Sequence, residues 1–404
     1  MQSHIPSQQQ FNFTGKTKTT FLGIAALGAI LVAIGFVATP APMARFWANF
    51  MLSNFFFTAI AILSLAFICI KYAAKAGWAS GFKRLTEAFS GYLPISFAFF
   101  IIIIIASFIG DHNGFKSLYE WMDKDIVAND KILQGKSAYL NFNGFVIRIV
   151  VYFGLWIFFR RMFRMFSLKE DQQGGLLYFE KSNYWSVVFL PIFGLTFCFS
   201  AFDWFMSTEP HWFSTIYAVN VFAGSLVALC TVTVISLTLL RRNGYFEWIT
   251  ENHFHDLGKF MFGFSIFWAY TWVAQFLLIW FANLPEEIPY YLRRLQGNWQ
   301  ILFFTNFGIN FILPLLALMM RDGKRLPWFL ITVGVLLLCG RFIDWYLLIM
   351  PGTVGVASGF GFYEVGFFVF FAGIFGYSTC YQLSKAGLLP VNHPYIEESL
   401  SYEI

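Results

Sequence analysis

The chain has 404 residues, 58% of them hydrophobic and only 12% charged, with a formal net charge of +5. That balance lies far outside the range of soluble domains and excludes a soluble enzyme or binding module. The small positive charge is a matter of how Lys and Arg divide between loops, and it gives no case for a nucleic-acid partner.

Apolar runs of about 20 residues, the length that crosses ~30 Å of hydrocarbon, recur from Phe21 almost to the C-terminus. They do not alternate as membrane strands would, so the predicted fold class is all-α integral membrane with about ten transmembrane helices. In chain order the spans are Phe21–Thr39, Trp47–Ile70, Leu85–Phe108, Phe142–Phe159, Trp185–Phe205, Ser214–Leu240, Leu257–Phe281, Ile301–Met320, Trp328–Ile349 and Val365–Tyr381. The first follows Lys16-Thr17-Lys18, and no small-residue cleavage site precedes Pro40, so it is taken as a helix and not as a signal peptide. The expected organisation is a tail at 1–20, a membrane domain at 21–381 and a second tail at 382–404. Pro94, Pro191 and Pro314 fall inside the third, fifth and eighth spans, where kinks are expected.

Alternate sides of this arrangement carry eighteen and seven Lys and Arg residues, with Arg148 and Arg341 inside spans. The positive-inside rule then puts both termini in the cytoplasm. The longest loop on the other side, Gly110 to Asn141, is expected to form a short amphipathic helix around Leu118–Ile126. It reads equally as a solvated connector or as a docking surface for an extracytoplasmic partner.

The five cysteines lie in different apolar runs without Cys-x-x-Cys spacing, which argues against a metal or Fe–S site. Haem in membrane carriers is held between histidines on facing helices. Here His4 and His393 lie in the tails, His112 and His211 at outer helix ends, and His253 and His255 in an inner loop. None is mid-span. The chain is therefore expected to bind no metal and no redox cofactor of its own, and no catalytic residue is assigned.

Ionisable residues inside spans are costly and are functional candidates by default. Arg341 and Asp344 sit three apart, on one face of the ninth helix, roughly 20 Å from its inner edge. Asp203, Arg148 and Glu364 fall in the same outer layer, and His211 stands at a neighbouring helix end. Such a layer suits a proton half-channel or the head-group pocket of a quinone. The competing reading is that Arg341 and Asp344 only neutralise each other while Asp203 and Glu364 reach interfacial water. Tyr217, Asn220, Tyr270 and Asn54 could extend a polar path. The 54 phenylalanines are read as lipid-facing and interfacial, and the glycine-rich stretch Gly355 to Gly366 as a close-packed outer loop.

Three stretches go beyond class: Ser207–Tyr217 (STEPHWFSTIY), His255–Glu287 (HDLGKFMFGFSIFWAYTWVAQFLLIWFANLPEE) and Arg341–Gly352 (RFIDWYLLIMPG). Together they resemble the F-type large membrane subunit found in the bacterial alternative complex III. That complex is a quinol:electron-acceptor oxidoreductase whose two large membrane subunits resemble the polysulfide-reductase NrfD family. The resemblance runs from about the second helix to the tenth. It implies two four-helix bundles plus two peripheral helices, the homologous C-type large membrane subunit alongside, and extrinsic Fe–S and c-type haem subunits on the outer face. It also implies a bacterial cytoplasmic membrane and a quinone or a proton path nearby. The combined expectation is a non-redox membrane subunit of a quinol-oxidising respiratory complex. A secondary transporter using the Arg–Asp pair, or a passive membrane scaffold, are the competing expectations.

Overall fold

With so little polar sequence, the backbone must satisfy its own hydrogen bonds, and helices are the way a single apolar segment does so. The computed structural model, which describes residues 9–38, 43–110, 118–355 and 359–402, is all-α. Among the described residues there is no β-sheet, only an isolated bridge between Gln10 and Gly387. Among the described residues, ten helices are long and apolar enough to cross a membrane: α1 (Gly15–Ala38), α2 (Met43–Ala73), α3 (Ser80–Ile109), α4 (Phe142–Gln173), α5 (Leu177–Thr208), α6 (Ile216–Arg242), α7 (Glu251–Ala282), α8 (Trp299–Ala317), α9 (Pro327–Val354) and α10 (Phe362–Leu383). The protein is a multi-pass helical membrane protein.

Helices α2 to α5 pack as one four-helix bundle and α6 to α9 as a second. α2 also packs against α6, α9 and α10, and so joins the bundles. Its sequence explains the position, because between Arg45 and Lys71 at its ends it is apolar all round and its few polar residues are small or amide side chains. From Ala48 to Cys69 every residue is buried. α1 and α10 form a side pair, and α1 buries only Ala25, Gly28 and Gly35.

Small residues let that pair approach closely, as in membrane helix dimers. A Cβ on Gly28 would come within 2.2 Å of the Phe370 backbone nitrogen, and one on Gly373 within 2.5 Å of the Ala25 backbone nitrogen. Gly23, on the same helix, faces open space. Gly28→Leu should therefore lower the unfolding midpoint of the protein in detergent by several degrees, as overpacking of about 1–3 kcal/mol does. Gly23→Leu should leave it unchanged.

The ten predicted spans all lie within observed helices apart from a few end residues, but two helices overshoot. α4 runs on to Gln173 and α5 begins at Leu177, so Arg160, Arg161, Arg164 and Lys169 continue a helix instead of forming a loop. Pro94 is not a mid-helix kink. It stands in the first turn after a break at Gly91–Tyr92, where its missing N–H costs nothing. Pro191 lies within α5. Pro314 follows a π-helical turn, Gly308–Ile312, in α8.

In the long loop, Lys124–Asn129 and Lys131–Lys136 form two short helices, capped by the Asp123 and Asp130 carboxylates. Tyr119 and Trp121 tie this loop down, donating to the carbonyls of Trp204 and Ser207. Asp111 and His112 lie outside the described residues, as does His4.

The Lys/Arg-rich side lends itself to a labelling test, with positions chosen for exposure. Lys324 is buried, its Nζ donating to the carbonyls of Leu318, Met319 and Met320 at the end of α8. Lys181, Lys385 and Lys124 are exposed. Cysteines at Lys181 and Lys385 should resist an impermeant maleimide in intact cells, and one at Lys124 should react. The reverse pattern would invert the orientation.

Candidate functional site

The second bundle carries a polar core at mid-helix. Arg341 and Asp344 lie midway along α9 and are buried, with Nη1 to Oδ2 at 3.6 Å. Trp268 of α7 bridges the two: its indole N–H donates to Asp344 Oδ2 at 2.9 Å, and the guanidinium lies 4.3 Å over its ring. Asn306 of α8 donates to Asp344 Oδ1 at 3.0 Å. Arg341 Nε donates to Asn310 Oδ1 at 2.6 Å, and the Asn310 amide donates to the Gly340 carbonyl.

Two glycines make room for this. A Cβ on Gly340 would sit 2.6 Å from Asn310 Oδ1, and one on Gly224 of α6 would sit 3.0 Å from Arg341 Nη1. Asn310 itself lies in the π-helical turn of α8. Such turns widen a helix by a residue and frequently mark functional sites.

The pair is not saturated. Arg341 Nη1 and Nη2, the Trp345 indole N–H and the Tyr217 hydroxyl make no hydrogen bond to the described residues, although all are buried. Tyr217 lies within electrostatic range of Asp344 and of a second ion pair nearer the long-loop end of the bundle, Glu209 with Arg294. There Arg294 Nη2 is 2.6 Å from Glu209 Oε1, and its remaining donors hold the carbonyls of Tyr290, Leu347 and Leu348. The Arg294 guanidinium caps the Tyr290 ring at 3.4 Å, and Tyr290 stacks on Trp212 at 3.8 Å. Burial pushes the Tyr290 hydroxyl well above its ordinary pKa, against the effect of Arg294. Polar groups thus run from Asp344 past Tyr217 and Tyr290 to Glu209.

The other predicted site residues do not join this cluster. Asp203 lies in the first bundle, where Arg148 Nε and the Tyr152 hydroxyl each donate to its Oδ2 at 2.8 Å. Glu364 caps α10 and takes a two-pronged bond from Arg45 at 2.8 and 2.9 Å, with Asn49 donating to Oε1. Both carboxylates are about 1% exposed, so neither reaches interfacial water. The predicted layer is three separate ion pairs. His211 pairs with Asp130 at 2.6 Å and Glu120 at 3.8 Å, fastening the α5–α6 connection to the long loop. That hydrogen bond holds the Asp130 carboxyl below its ordinary pKa.

Of the four residues offered as path extensions, Tyr217 joins the core described above. Asn220 donates to Thr271 and to the Trp268 carbonyl. Asn54 accepts from Tyr92 in the first bundle. Tyr270 is 66% exposed on the outer surface of α7 and is no part of a path.

A second charged centre lies on the Lys/Arg-rich side, where the sequence suggests loop cations. Lys83 and Arg84 are buried at the start of α3. Lys83 Nζ is 2.9 Å from Glu170 and donates to Tyr72 at 2.5 Å. Arg84 pairs with Glu87 at 2.8 Å and with Asp171, and Arg164 also pairs with Glu87. His393 of the C-terminal segment covers this centre, and burial, with Lys83 and Lys71, drives its pKa far below the ordinary value. The long apolar tail of α3 masks these charges in the sequence, and their partners come from α4 and from beyond α10.

Among the described residues no three His, Cys, Asp or Glu side chains come together as a metal-ligand set. No family model matches the chain, and no curated protein matches it.

Proposed function

We propose that the Arg341–Asp344 core carries protons between buried and outer-side groups, and that the chain is the non-redox membrane subunit of a quinol-oxidising complex. The first half rests on one observation: a buried ion pair in which neither terminal nitrogen of the guanidinium makes a hydrogen bond to a described residue, beside a π-helical turn and within range of Tyr217. A pair built only for stability would have its donors taken up, because each unsatisfied buried donor costs about 1–3 kcal/mol. In such a core the Asp344 carboxylate is the group that takes up and releases a proton, while the guanidinium stays charged and is free to change acceptors around it.

The second half rests on the resemblance of three stretches to the F-type membrane subunit in alternative complex III, and two of those stretches contain Trp268, Arg341 and Asp344. In that setting the chain sits in a bacterial cytoplasmic membrane with both termini in the cytoplasm. It stands beside a homologous large membrane subunit and anchors extrinsic Fe–S and c-type haem subunits, with quinol oxidised nearby. The long loop, pinned by Tyr119 and Trp121, offers those extrinsic proteins an ordered surface.

A secondary transporter is the second reading, favoured by the interrupted helix α8 lying against a buried Arg–Asp pair. One purification separates the two. Extracted from its native membrane in mild detergent, the chain should travel with c-type haem and Fe–S polypeptides and show no b-type absorption of its own. A chain that purifies alone, and supports substrate-dependent flux in proteoliposomes, is a transporter.

A further inference from the structure

The outward face of α7 carries a feature that the polar core does not use. Phe260, Gly263, Phe264 and Phe267 follow one another at helical spacing and form a single stripe. The stripe floors an open groove of about 630 Å³, and Trp78 and Tyr402 wall its upper end. Trp78 lies nearly parallel to Phe260 (6.2 Å, 16°) and to Tyr402 (6.2 Å, 29°). Gly263 forms the notch: a Cβ there would meet nothing within 4 Å, so packing within the chain does not demand the glycine.

The polar end of the groove is built from Asp256, Lys259 and the C-terminal segment. Lys259 Nζ lies 2.5 Å from Asp256 Oδ1, and the Tyr402 hydroxyl donates to Oδ2 at 2.5 Å. The carboxylate is thereby engaged on both oxygens, while the Lys259 side chain remains 52% exposed. Lys324 and Arg325 act electrostatically on the same spot through His255, and Glu398 acts on Tyr402. Lys259 is the cation that lines the groove itself, and its exposed ammonium group is the one a ligand there would meet.

We propose that this groove binds one phospholipid with an anionic head group. Lys259 and Phe267 are eight residues apart, about 12 Å along a helix, which is close to the thickness of one hydrocarbon leaflet at about 15 Å. A phosphate at Lys259 therefore lies at head-group depth, with an acyl chain running down the Gly263 notch between the phenylalanine rings. Basic pockets between spanning helices on the Lys/Arg-rich side recognise anionic lipid head groups in this way. Tyr402 makes the C-terminal segment part of the site, so a bound lipid also holds that segment against α7.

Native mass spectrometry of the full chain, delipidated and titrated with phosphatidylglycerol or phosphatidylcholine, tests this. One phosphatidylglycerol should bind about tenfold more tightly than phosphatidylcholine. Gly263→Trp should weaken both lipids by about tenfold by filling the notch, and Lys259→Gln should abolish the preference between them. Gly154→Trp, at a lipid-facing position of α4 that is equally open, should change neither. Equal binding of the two lipids by the unaltered chain would overturn the proposal. So would an unchanged Lys259→Gln variant, or a quinone retained in the groove in place of phospholipid.

Discussion

Glu87→Ala should be among the most damaging single replacements in the protein. Glu87 takes Arg84, Arg164 and the Ser167 hydroxyl, and Lys83 lies 4.0 Å away. Removing it leaves three cations in a buried place with only Glu170 and Asp171 against them. Breaking one partner out of a buried pair costs about 3–5 kcal/mol, because the remaining charge has neither water nor partner. The effect should appear as loss of monodisperse protein on detergent extraction, or as a fall of many degrees in its unfolding midpoint. Glu180→Ala, at an exposed position of α5, should stay within about 0.5 kcal/mol of the unaltered protein. Equal stability of the two variants would mean that the buried network contributes nothing to holding α3 against α4.

The second large effect belongs to α9, and it should be asymmetric. Arg341→Leu leaves Asp344 still accepting from Trp268 and Asn306, and a carboxyl so placed can also take up a proton. Asp344→Leu leaves a guanidinium that is difficult to neutralise, with Asn310 as its single hydrogen-bond partner among the described residues. Asp344→Leu should therefore reduce assembled protein more than Arg341→Leu, and the double replacement less than either, since it removes both charges at once. Quantifying folded chain in membranes by fluorescence-detected gel filtration checks the order. An additive double variant would show that the two side chains do not act as a pair.

What the sequence discloses follows from which interactions are local. Span number and order follow from length and apolarity, and the central place of α2 from its lack of a polar face. Arg341 and Asp344 can be paired from the sequence because they lie three apart on one helix. Arg148 with Asp203 and Arg45 with Glu364 cannot, being 55 and 319 residues apart. Depth alone puts them in one layer, whereas packing assigns them to different helices. Lys83 and Arg84 read as loop cations because Glu87 is their one local partner and the carboxylates that complete the network, Glu170 and Asp171, lie 87 residues on. The overshoot of α4 is hidden for a related reason: a helix leaving the membrane turns polar just as a loop does. The π-helical turn at Gly308–Ile312 has no composition of its own, although Pro314 marks α8 as irregular.

Under the proposed function the Arg341–Asp344 core does chemistry and is not merely a neutral pair. The most direct test is the Arg341→Leu, Asp344→Leu double variant in its native membrane, with quinol-driven turnover and accompanying proton release measured per assembled chain. With both charges removed, packing is restored and assembly should approach that of the unaltered protein, while turnover or proton release falls by about tenfold or more, a rise of at least ~1.4 kcal/mol in the barrier. Normal assembly with unaltered turnover and unaltered proton release would contradict it.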